Sequence, residues 1–267
     1  MDLTKQIKKL EKVNKEGSNK VFTMYLNTDP SDPDQQGGEW KIHLKNGLNN
    51  FEHYLQEDDN KEELQNFQLV KQKVKKYVLG NEQNFRRGIV IFASADEDVW
   101  FAVRLQVRLK TEFYWQETPV LDQLKTISAD YPKAGIILVQ QDEVKVVESH
   151  LNEVENTVYY ELDLETDDWR QKVGPRKANN VSGLGSTNAQ KENFKDRVEA
   201  NKHRWYKSIA PKLDKRAKDH QWEEIYVVGE ADASHEIESQ MNKPVNKVIH
   251  KNMLDHEESK VLDEVFG

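Results

Sequence analysis

Gly183 to Leu213 reads GLGSTNAQKENFKDRVEANKHRWYKSIAPKL, and Glu223 to Asp232 reads EEIYVVGEAD. The first stretch opens on glycines and small polar residues, which favour turns. It then becomes a long helical pattern, Lys191 to Asp219, with Phe194, Val198, Trp205, Ile209 and Leu213 on one stripe. Pro211 is expected to kink or split this helix at Ala210, since proline has no amide hydrogen and its ring crowds the preceding turn. The second stretch holds a short apolar strand, Glu224 to Gly229. Upstream, Ala134–Gln140, Glu143–Glu148 and Asn156–Leu164 read as a strand meander with short turns. Asp167 to Gln190, poor in apolar residues and bearing Gly174, Pro175, Gly183 and Gly185, reads as the longest loop of the chain. After the Gly229 strand come a helix, a strand at Val245–His250 and a last helix at Glu257–Phe266. Such alternation of strands and helices makes an α/β domain.

The first half reads the same way. Leu3, Ile7 and Leu10 mark an amphipathic first helix, Lys20–Asn27 alternates as a strand, and TDPSDPDQQGG follows as a turn-rich link. Helical spacing runs through Leu44, Leu48, Phe51 and Leu55, then through Leu64, Phe67, Val70, Val74 and Val78. Gly88–Phe92 is a short buried-type strand, and Val99–Leu109 its partner across the Ala95–Asp98 turn. Pro119 opens a helix at Val120–Ile127. A boundary near Tyr131–Pro132 gives two domains, residues 1–131 and 132–267.

Composition narrows the function. The 267 residues are 36% hydrophobic and 32% charged, with 24 aromatic residues, too many for a disordered chain. Cysteine is absent, which excludes disulfides, thiolate metal sites and cysteine nucleophiles. No apolar run reaches the ~18–20 residues of a membrane helix, and the first helix lacks a signal-peptide core. A cytoplasmic protein is expected. The net charge of -8 is unevenly placed: Arg170–Lys218 holds 14 basic and 4 acidic residues. A window that basic within an acidic chain is either a solvated helix face or a local footprint for a polyanion such as RNA.

Several catalytic patterns fail. The eight histidines show no zinc spacing, and there is neither a nucleophile elbow nor a phosphate-binding P-loop. Asp163, Glu165, Asp167 and Asp168 could hold Mg²⁺ for a nuclease, with Asp163 and Asp168 its test residues, but a solvated strand end accounts for them more simply. No metal or cofactor is expected.

The ordered signature of the second half, a meander, a glycine-bearing polar loop, a long basic helix and a glycine-ended strand, resembles the middle domain of the archaeo-eukaryotic class 1 release factors and of their relative Pelota. In that family a GGQ loop precedes a basic helix with Phe, Arg, His and Tyr spaced as Phe194, Arg197, His203 and Tyr206 are here. TMYLNTD resembles the first strand of the family's N-terminal domain and FRRGIVIFAS its central strand. FYWQETPVLDQL before AGIILVQ looks like the segment joining the first two domains. The resemblance implies an N-terminal α/β domain followed by a ribonuclease-H-like middle domain. The chain ends where the family's third domain would begin, so a two-domain form is implied, similar to the bacterial release-factor-like families that include rescue candidates and the hibernation factor Balon.

By that resemblance the partners are the ribosome, its rRNA and peptidyl-tRNA, with a translational GTPase as a candidate further partner and no membrane. Gly183, Gly185, Ser186 and Gln190 would form the catalytic loop, while Arg170, Arg176, Lys177, Lys191, Lys195, Arg197, Lys202, Arg204 and Lys207 would contact RNA. The loop has no GGQ: Gln190 lies four residues before Phe194, about one position from the family's Gln. If Gln190 replaces that Gln, the protein hydrolyses peptidyl-tRNA on stalled ribosomes. If Gln190 is an early residue of the helix, only binding remains, as in a Balon-like factor filling the A site. The stop-codon-reading NIKS motif aligns only loosely, with Trp40-Lys41-Ile42-His43, so stop-codon decoding is not expected and Trp40 reads as a helix-start core residue.

Overall fold

β1 (Val21–Asn27) is buried along its whole length in the computed structural model, since it lies inside a sheet covered on both faces. The structure describes residues 3–35, 37–58, 60–140, 142–163, 168–172, 174 and 188–267; at 188–200 and 202 it describes the helical backbone alone. The chain divides into two units, Met1–Asp130 and Tyr131–Gly267. Among the described residues no helix is long and apolar enough to cross a membrane.

In the first unit, α1 (Leu3–Leu10) precedes β1, and α2 (Trp40–Glu57) and α3 (Lys61–Gly80) separate it from β2 (Gly88–Ala93). β3 (Trp100–Leu105), β4 (Glu112–Gln116) and α4 (Asp122–Asp130) complete the unit. The sheet runs β3-β2-β1-β4, antiparallel throughout. Period-2 alternation sends Phe22, Met24, Leu26, Ile89 and Ile91 to the face that α2 and α3 cover with Leu44, Leu48, Phe67, Val70 and Val74. Trp40 is 7% exposed and meets Phe85 edge to face at 4.8 Å, the core role expected of it.

Two elements differ from the sequence reading. β3 stops at Leu105, although Val107 and Leu109 continue the alternation and are buried. They belong to a crossing loop: a Cβ on Gly88 would lie 2.4 Å from Leu109 Cγ and 2.8 Å from the Val107 carbonyl oxygen. β4 was hidden in the joining segment, and it flanks β1 opposite β2.

The β2–β3 turn is tied to the segment before β1 through Asp96. Its carboxylate accepts from Lys15 Nζ at 2.5 Å and Asn19 Nδ2 at 2.6 Å. Burial would raise the Asp96 carboxyl, but the bonds from Lys15, Ser94, the Asp98 amide and Asn19 outweigh it and hold the pKa at about 2. A carboxyl depressed on folding contributes stability above its unfolded pKa and loses it as pH falls through the folded one. Asp96→Asn is therefore expected to lower the melting temperature at pH 6, with the gap to the parent closing between about pH 4 and pH 2. A gap that stays constant over that window would contradict the assignment.

The second unit orders its sheet β10-β9-β5-β6-β7-β8. β5 (Ala134–Gln140), β6 (Glu143–His150), β7 (Glu153–Asp163) and β8 (Asp168–Lys172) form an antiparallel meander. β9 (Glu224–Gly229) joins β5 in parallel, and β10 (Lys247–Ile249) joins β9 in parallel. This mixed α/β sheet is the ribonuclease-H-like arrangement that the resemblance implied. α5 (Asn188–Asp219) and α6 (Ala231–Gln240) cover the face of Ile137, Val139, Val144 and Val227. α7 (Glu258–Phe266) covers the opposite face, where Val261, Leu262 and Val265 meet Ile136, Leu138 and Val228. Trp222 lies across Gly135 so closely that a Cβ there would be 2.1 Å from the indole.

Two further points differ from the sequence reading. Of the kink or split expected at Pro211, the split does not occur, and α5 passes Pro211 as one helix. Pro211 and Lys207 are both exposed, so the Lys207 carbonyl that loses its helical donor turns to water instead of a dry core. Within the expected 167–190 loop lies β8, an edge strand with one buried side chain, Trp169.

Candidate nucleic-acid interface

α5 is fixed to the sheet by its lower half. Trp205, Tyr206, Ile209, Ala210, Leu213 and Ala217 are each at most 2% exposed. Trp169 of β8 donates its indole N–H to the Trp205 carbonyl at 2.9 Å and stacks on Tyr206 with centroids 6.3 Å apart. Lys212 bonds Asp168 at 2.9 Å and the Trp169 carbonyl at 2.6 Å. Arg216 bonds the buried Glu148 of β6 at 2.9 Å. On the flank, Asp214 accepts from the Asn242 and Lys243 amides, both at 2.9 Å, and His203 pairs with Glu236 of α6.

The remaining basic side chains of this half face outward. Arg204, Lys207, Pro211, Lys215 and Lys218 are exposed and follow one another at three- or four-residue steps, so they form a single stripe. Arg204 to Lys218 covers about 21 Å at 1.5 Å per residue. Among the described residues, none pairs with Lys207, Lys215 or Lys218. The stripe meets a cavity of about 360 Å³ between α5 and β7–β8, lined by Gln171, Lys212, Lys215 and Arg216 among others. Lys215 and Lys218 fall within the basic window of the sequence but not among the residues expected to contact RNA. The four-residue step from Pro211 to Lys215, and the seven- and fourteen-residue spacings of Lys218 from Pro211 and Arg204, were the available signal.

The register of one continuous helix sorts the expected RNA contacts into two groups. Positions 190 and 197 fall, by helical spacing, in line with 204, 211 and 218, seven residues apart. Positions 191, 195 and 202, all lysines, instead fall in line with Trp205, Ile209 and Leu213, as the apolar Val198 does. Arg170 is two-thirds exposed and pairs with Asp163 across β7–β8; the neighbouring Lys172 pairs with Glu161. Gly183, Gly185, Ser186, Arg176 and Lys177 lie outside the described residues, as do the side chains of Gln190, Lys191, Lys195, Arg197 and Lys202. The backbone of Gln190 is in the first turn of α5.

Two members of the acidic cluster are among the described residues. Asp163 and Asp168 are each engaged by a basic side chain, with the Lys212 bond holding the Asp168 carboxyl below the usual range. Glu165 and Asp167 lie outside the described residues. Among the described residues no three His, Asp or Glu gather as metal ligands.

Comparison with known proteins gives four findings. The model of the family described as Bacterial archaeo-eukaryotic release factor family 5 matches residues 132–267. A Bacillus subtilis (strain 168) protein, printed as "Uncharacterized protein YocB", is 36% identical over 267 residues, covering 100% of this chain and 99% of its own. Among solved structures, an "Archaeal protein" has a TM-score of 0.36 at 12% identity, covering 99% of this chain and 72% of its own. The archaeal translation termination factor aRF1 has a TM-score of 0.35 at 13% identity, covering 98% and 72%.

Proposed function

The chain belongs to bacterial archaeo-eukaryotic release factor family 5, and from that premise we propose that it binds the ribosome and hydrolyses peptidyl-tRNA on stalled ribosomes. The observation that carries the reading is the exposed basic stripe of α5, with position 190 at its head. A stripe of cations on a rigid helix suits a surface of RNA phosphates, because each contact releases condensed counterions at little conformational cost. A glutamine at the end of such a stripe would be carried towards the RNA-bound ester. There its amide can orient a water and hydrogen-bond the developing oxyanion, while the ribosome supplies the rest of the site.

One observation favours a second reading. Because Gln190 lies within the first turn of α5, the helix could occupy the ribosomal A site without chemistry, as a hibernation factor does. Both readings require ribosome binding, which is tested first. The purified protein is expected to co-sediment with bacterial ribosomes and to release as salt rises. Lys207→Glu, Lys215→Glu and Lys218→Glu together are expected to weaken binding by at least about tenfold. No co-sedimentation at low salt, with empty or peptidyl-tRNA-loaded ribosomes, would sink both.

A further inference from the structure

The cleft of about 360 Å³ between α5 and β7–β8 differs in character from the stripe that meets it. β8 builds one wall. Trp169 and Gln171 are two residues apart on this strand and share a face, and Tyr160, opposite Gln171 in register, lies on it too. Trp169 and Tyr160 are buried, at 3% and 7% exposure, whereas Gln171 is exposed at the rim. α5 builds the other wall with Lys212, Lys215, Arg216 and Asp219, which recur at three- and four-residue steps.

The charges of the cleft nearly cancel. Lys212 pairs with Asp168 and Arg216 with Glu148, and His220 Nδ1 meets that second carboxylate at 3.1 Å. One cation, Lys215, and one anion, Asp219, are left over. Although four residues apart on α5, they do not pair, and no described group pairs with either. Asp219 closes the last turn of α5, where the helix dipole disfavours a carboxylate, so helix stability does not account for it. Arg216 gives Glu148 one terminal nitrogen; its other terminal nitrogen has no hydrogen-bond partner among the described residues. The Gln171 amide has none either.

A phosphate would need a surplus of positive charge here, which the cleft lacks. The edge of a nucleobase needs matched donors and acceptors instead. Guanine presents two adjacent acceptors, N7 and O6, which arginine and lysine read, and two adjacent donors, N1–H and the 2-amino group, which suit a carboxylate. The cleft is also large enough, since small-molecule sites begin at about 300 Å³. We propose that it takes one unstacked guanine of single-stranded RNA, with Lys215, Arg216 and Gln171 as donors and Asp219 as acceptor. Lys215 belongs to both cleft and stripe, so phosphates flanking the base would meet the stripe. That the guanine belongs to RNA rests on the ribosome reading; the match of the cleft to the base does not.

The test measures, by fluorescence anisotropy at low salt, binding of labelled oligouridylate to the full-length protein, with and without one central guanine. The guanine-bearing strand is expected to bind about tenfold more tightly. Asp219→Asn, at a side chain with no described partner, should abolish that preference and leave plain oligouridylate within about twofold of the parent. Lys207→Glu with Lys218→Glu, outside the cleft, should weaken both strands alike and keep the preference. Equal binding of the two strands, binding of neither, or a preference that survives Asp219→Asn overturns the proposal. Inorganic phosphate that removes the preference without displacing oligouridylate would make the cleft an anion site and overturn the base assignment. A guanine preference in a protein that fails to co-sediment with ribosomes would end the ribosome reading and leave the cleft standing. Co-sedimentation with both strands bound alike would do the reverse.

Discussion

Glu148→Ala is expected to destabilise the second unit by about 3–5 kcal/mol, the cost of stranding a buried charge. Glu148 is 3% exposed, and four groups converge on it. One oxygen accepts from Arg216 at 2.9 Å and Asn156 at 3.0 Å. The other accepts from the Trp222 indole at 3.2 Å, with His220 Nδ1 at 3.1 Å. These partners come from β7, the last turn of α5 and the link into β9, so one carboxylate joins the end of α5 to the middle of the meander. Its removal leaves Arg216, whose side chain is 13% exposed, without its anion, and the Trp222 indole without an acceptor. Urea unfolding followed by tryptophan fluorescence measures the loss. Glu148→Gln, which keeps the shape and part of the bonding, should fall between parent and alanine variant. A loss below about 1 kcal/mol for the alanine variant would mean that solvent or rearrangement satisfies Arg216, against the network described.

Gln190→Ala is expected to reduce single-turnover release of peptide from peptidyl-tRNA on the ribosome by about 10²–10³-fold, the usual loss when one donor to a developing oxyanion is deleted. Ribosome co-sedimentation should stay unchanged, since the basic stripe below it is intact. This split of effects separates the two ribosome readings. If the parent protein binds ribosomes but releases no peptide, occupancy without chemistry stands and the substitution is silent. If release survives Gln190→Ala undiminished, another group performs it and the glutamine assignment fails.

The sequence carried most of the elements because their burial pattern and their hydrogen-bond pattern coincide. In β1, β5 and α3 the apolar period and the backbone ladder describe the same residues. Where the two part, the reading went astray. Val107 and Leu109 alternate like a strand but are buried by a loop folding over Gly88. β8 is the reverse case, a ladder with a single apolar residue, because an edge strand needs partners on one side and has little core to face. Pro211 has the chemistry of a helix breaker but lies on the wet side of α5, where an unpaired carbonyl is inexpensive. At the candidate site, residue type was legible and direction was not. The basic window is visible as composition, yet only helical register separates Arg204 and Lys207 from Lys191, Lys195 and Lys202.

The placement of β9 also bears on how the second unit comes into being. β5 is a central strand, but the neighbour that completes it pairs Ala134 with Glu224, far along the chain. During synthesis the meander β5–β8 can zip up as soon as it emerges, because each of its strands pairs with the next. Its inner edge, AGIILV, then stays bare until the whole of α5 and β9 have been made. A nascent apolar edge of that kind pairs readily with other strands, and non-local parallel closure is slow. The second unit therefore matures late, and its most aggregation-prone surface is the strand that ends up best protected.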